Sequence, residues 1–149
     1  MHIDISFNDE LLQRYAARQA PLLFSISIAD ANSHYPEEAW MDFGCVILGW
    51  WITACLNLIN GSKEETMRFM DGPYALIALV RASTLTLRSS EGPAFEVVTT
   101  LADFQRVLGA AANRVLRHVV RLGLRGDDVV ELEVGLRKLR DARARGRKS

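Results

Sequence analysis

The sequence predicts an α+β fold in one domain. Three observations carry this: period-two apolar alternation at the front, one long uncharged segment in the middle, and two helical stripes at the end. The expected architecture is an antiparallel sheet of about five to six strands, packed by one long apolar helix and two C-terminal helices. Residues 1–141 form the expected domain, and residues 142–149 a basic tail that frays for want of an apolar face. A chain of 149 residues suits one domain, and its 49% hydrophobic content excludes general disorder.

Ile3, Ile5 and Phe7 alternate with Asp4 and Ser6, the pattern of a half-buried strand. Glu10–Gln19 has a short helical look, and Leu22–Ile28 reads as a second strand. Residues 29–36 are rich in turn formers and read as a loop. Pro36, Glu37, Glu38 and Asp42 resemble a helix start, and Asn60-Gly61 a helix stop, which predicts a helix over 37–59. Residues 43–62, which overlap it, carry no charge and have the length of a membrane span. The acidic flanks, the lack of a Lys/Arg cluster and the adjoining strands favour a buried core helix instead.

Strand patterns follow at 66–70, 74–81, 83–88 and 95–98, joined by hairpin-scale turns, so antiparallel neighbours are expected. Leu76–Val80 is almost wholly apolar and reads as a strand buried on both faces. Thr100 with Asp103 opens a helix whose stripe runs from Leu101 to Leu122, and Gly123 ends it. Asp128 with Glu131 opens a second helix, striped by Val129, Leu132, Leu136 and Leu139.

The net charge of zero hides an asymmetry. Residues 1–100 carry 6 Lys/Arg against 12 Asp/Glu, and residues 101–149 carry 12 against 6. Solvated helix faces account for much of this, though the basic tail could make nonspecific contact with nucleic acid. No aromatics interleave its charges, so no specific nucleic-acid reader is expected.

Chemistry-bearing patterns are sparse. His2, His34 and His118 are scattered, and no zinc-ligand spacing, Gly-x-Ser-x-Gly or phosphate loop is present. No catalytic residue, metal or cofactor is therefore expected. Cys45 and Cys55 stand ten residues apart on one helix, too far to bridge, and read as small buried hydrophobes. Arg125-Gly126-Asp127 reads as a helix-to-helix link. The N-terminus lacks the pattern of a secretory leader, which with the unpaired cysteines suggests the cytoplasm.

The remaining candidate is a surface for a protein. Tyr35, Glu37, Glu38, Trp40, Asp42, Asp71 and Tyr74 mix aromatics with acids, as a binder of a basic protein would, since aromatics anchor and charge steers. Trp40, Trp50 and Trp51 also suit the core. Trp50 and Trp51 point about 100° apart on a helix, which leaves one of them near the surface, although both are expected mainly to pack.

Three runs carry a resemblance: Trp40-Met-Asp42-Phe43, Ile47-Leu48-Gly-Trp50-Trp51, and Phe69-Met-Asp71-Gly72-Pro73-Tyr74. Over roughly residues 22–122 the chain resembles small bacterial α+β proteins of largely unknown role, among them immunity proteins that neutralise secreted toxins. The resemblance implies a small cytoplasmic non-enzyme and assigns no role to any residue. The expected function is a non-catalytic protein-binding module. Two alternatives stand beside it: an enzyme with a pocket near Asp71 and Tyr74, and a membrane-associated protein using residues 43–62.

Overall fold

The computed structural model describes residues 1–148, with side chains through Ala142. In chain order its elements are β1 (His2–Ser6), α1 (Asp9–Ala17), β2 (Phe24–Asp30), β3 (Ser33–Tyr35), β4 (Met41–Asp42), α2 (Gly44–Ile59), β5 (Glu64–Arg68), β6 (Ala75–Arg81), β7 (Thr84–Ser89), β8 (Glu96–Thr100), α3 (Leu101–Arg121) and α4 (Asp127–Lys148). The α+β class is as expected. The strands, however, form two antiparallel four-stranded sheets instead of one sheet of five or six.

The extra strands come from residues 29–42, where the sequence suggested a loop and a helix start. β3 pairs with β2, His34 lying opposite Ala29, and β4 pairs with the other end of β2, Asp42 lying opposite Phe24. The Ile26 amide also donates to the Trp40 carbonyl at 2.7 Å. Ladder bonds to β2 thus hold residues 40–42 extended, and the helix predicted over 37–59 begins only at Gly44. Gly44 suits that entry, because a Cβ there would stand 2.1 Å from the Phe24 ring.

The first sheet gathers β1, β3 and β4 around β2. β2 is buried on both faces: Phe24, Ile26 and Ile28 point into the core, while Ser25, Ser27 and Ala29 are shielded on the other side. The second sheet is a meander, β5-β6-β7-β8, with every neighbour consecutive. In β6, Leu76, Ala78 and Val80 are buried while Ile77 and Leu79 are half-buried, so the strand buried on both faces is β2 and not Leu76–Val80.

α2 packs on one strand of each sheet, β2 and β5, and so joins the sheets into one core. α3 packs on β1, β7 and β8, and α4 covers α2 and α3. The Thr100 cap is as expected, its Oγ1 accepting from the Asp103 amide at 3.0 Å. The α4 stripe of Val129, Leu132, Leu136 and Leu139 is buried. Two long-range contacts close the N-terminal segment onto the helices. The Leu22 amide donates to Asp128 Oδ2 at 3.0 Å, and His118 Nε2 lies 2.7 Å from Asp9 Oδ1 with its ring stacked on Phe7.

Cys45 and Cys55 are free, buried thiols on α2. Burial pushes both thiols up, Cys55 to about 12, and Asp128 adds to the effect at Cys45. Among the described residues no helix is long and apolar enough to cross a membrane. The expected frayed tail, 142–149, falls almost wholly on side chains outside the described residues.

Candidate protein-docking corner

Five of the seven sequence-selected residues meet where the two sheets adjoin. Tyr35, at the end of β3, is fully buried. Its hydroxyl donates toward the carbonyls of Ala75 and Glu91, at 3.0 and 2.7 Å, and accepts from the Ala75 amide at 3.1 Å. The first sheet is thereby tied to β6 and to the β7–β8 turn of the second. Burial raises the Tyr35 phenol above its ordinary range, and the Ala75 and Glu91 backbone contacts oppose that shift.

Asp42 is the second tie. Its side chain is fully buried and accepts from the Trp40 indole at 3.0 Å, the Phe43 amide at 2.7 Å, and the Met70 and Asp71 amides at 3.2 Å. Four donors on one carboxylate satisfy a group that burial would otherwise make costly. The acid that resembled a helix-start residue therefore fixes the loop before α2 to the β5–β6 turn.

Aromatic rings fill the space between these ties. Trp40 meets Tyr74 edge-on at 5.2 Å, and Tyr74 meets Tyr35 edge-on at 6.1 Å. Tyr35 continues to Phe69 and Phe95, and Phe69 to Trp51 on α2. Gly92 sits against the Tyr74 ring. A Cβ there would stand 2.5 Å from it, and the φ of +75° is one that L side chains rarely adopt.

What faces solvent is acidic and soft. Glu37, Glu38 and Asp71 are exposed, and Trp40 and Tyr74 are half-buried. Met41 and Met70, next to the Asp42 ties, are 39% and 41% exposed. Neither methionine stood out in the sequence, because only the Asp42 bonds bring positions 41 and 70 together. Tyr35 and Asp42 form the frame of the corner, while Glu37 and Glu38 sit on the turn leading into it.

Trp51 is fully buried, its indole donating to the Arg68 carbonyl at 2.9 Å. Trp50 is 42% exposed and does not mainly pack, contrary to expectation. His34 lies outside the ring cluster. Its Nδ1 is 3.4 Å from Ser27 Oγ and 3.8 Å from Asp4 Oδ2. Serine and aspartate address the same ring nitrogen, so this trio lacks the geometry of a proton relay, which uses both nitrogens. A cleft of about 630 Å³ lies away from the corner, between the α1–β2 and α3–α4 connections, and is lined in part by Pro21, Leu124 and Asp127.

In comparisons with known proteins, the chain matches no family model, no curated protein and no solved structure.

Proposed function

We propose that this chain is a non-catalytic protein-binding module that uses the acidic, aromatic corner to hold a basic protein. Its biological class is that of a cytoplasmic immunity protein that neutralises a toxin. The observation that carries the reading is the Asp42 network. It fixes two loops from different sheets, holding Trp40 and the Met70 and Asp71 backbone to one carboxylate, while Met41 and Met70 stay open to solvent and Glu37 and Glu38 lie exposed on the turn that leads in. A rigid frame under adaptable methionines and steering carboxylates suits a docking surface, because little order is lost on binding.

Affinity capture from the source cell tests this, with wild-type protein and a Glu37→Lys/Glu38→Lys/Met70→Asp variant as paired baits at two salt concentrations. The expected result is a basic protein held by the wild type, lost by the variant and weakened by salt, since exposed charges are screened over about 8–10 Å. Equal retention by both baits, indifferent to salt, overturns the reading.

A further inference from the structure

A second surface lies on the helical side. α2 and α4 enclose a groove of about 430 Å³, lined by Gly49, Thr53 and Leu56 of α2 and by Val130, Val134 and Lys138 of α4. Val130 and Val134 are each 40% exposed. The exposed side of α2 continues from this groove through Thr53 to Trp50 with no charged side chain of its own, and Glu65 and Arg68 of β5 border it there, one of each sign. An uncharged helix face that ends on an open tryptophan marks an interaction surface.

The charges on α4 say what covers it. Glu131 and Lys138 are both exposed, both line the groove, and neither forms an ion pair among the described residues. They stand seven residues apart, two turns or about 10.5 Å along one side of the helix. Val134 lies between them. A twofold axis crossing α4 at Val134 lays two copies of the helix antiparallel, and each Glu131 then meets the Lys138 of the other copy. Ile52 packs on Gly135, so the same axis crosses α2 beside Thr53. It therefore brings Trp50 of one copy over Leu56 of the other. A strip with no net charge and opposite signs at its ends is complementary to itself under that rotation, as an isologous interface requires.

We infer that the α2–α4 face is the interface of a homodimer, with antiparallel α4 helices paired Glu131 to Lys138. The acidic corner stays outside this interface, so the inference stands or falls apart from the proposed function.

Sedimentation equilibrium of the full chain tests it, with circular dichroism as the check of folding. The wild type is expected to dimerise. Glu131→Lys places lysine against Lys138 twice per dimer and weakens association roughly tenfold. Lys138→Glu does the same with acids. The double reversal, Glu131→Lys with Lys138→Glu, rebuilds both pairs and restores wild-type affinity. Val134→Arg, at an exposed position, leaves the fold intact and abolishes the dimer. A wild type that stays monomeric at every concentration overturns the inference. So does a double reversal no tighter than either single variant, or a dimer that ignores Val134→Arg.

Discussion

β2 of the first sheet collects its neighbours from both sides of the chain: β1 arrives across a helix, and β4 across an excursion through Pro36 and Ala39. The second sheet takes its four strands in order through short turns. In the meander each pairing closes a short loop at low entropic cost. In the first sheet, β1 relies on its packing against α3, and β3 and β4 on the ties at Tyr35 and Asp42, while Trp51 fastens the shared helix α2 to β5. Equal strand number thus conceals unequal independence. One sheet is organised by its own turns, and the other by its attachments.

Cutting those attachments should separate the two sheets in measurable ways. The largest effect is expected from Trp51→Ala, which empties a fully buried site and leaves the Arg68 carbonyl without its indole donor. Urea unfolding should show a loss of about 3–5 kcal/mol. Hydrogen exchange should quicken more in β1–β4 than in β6–β7, and equal quickening would erase the distinction. Asp42→Ala comes next, at about 2–4 kcal/mol, because four donors lose their acceptor and water replaces only the more exposed ones. Asp42→Asn keeps one acceptor oxygen and should fall between that variant and the wild type. Tyr35→Phe removes only the hydroxyl that bridges the sheets, and should cost about 1–3 kcal/mol.

Much of this was legible in advance, and unevenly so. The meander showed itself because short apolar or alternating runs follow one another and Asp71-Gly72-Pro73 and Glu91-Gly92-Pro93 punctuate them. The α3 and α4 stripes were readable for the same reason: periodicity is local. β3 and β4 were not, since three and two residues carry no period and gain their state from β2. Pro36 followed by two glutamates imitates a helix start, and nothing local says that the Asp42 carboxylate is spent on residues 70 and 71. The site residues were picked by type, aromatic or acidic. Their division into buried frame and open surface depends on pairings across 28 to 56 positions, beyond any short window.

The smallest expected effect sits in α2, which serves both sheets alike. Cys55 has its thiol raised from 9.0 to about 12 by burial. The folded state therefore favours the neutral thiol. This advantage is complete below pH 9, the unfolded value, and is lost as pH rises toward about 12. Cys55→Ala should leave the urea midpoint at neutral pH nearly unchanged apart from a small packing loss, and should flatten its decline above pH 9. An unaltered alkaline decline would show that other groups set it.

The bonds from Leu22 to Asp128 and from Asp9 to His118 also order events in time. On the ribosome the β1–α1–β2 segment emerges first, yet its partners on α3 and α4 follow roughly 100 residues later. At about 5–20 residues per second, that interval lasts about 5–20 s. Throughout it Ile3 and Ile5 of β1 have no helix α3 to cover them, while β5–β8 can pair as soon as β8 has left the exit tunnel. The nascent N-terminal half thus keeps apolar surface open to water during synthesis, until the C-terminal helices arrive to close over it.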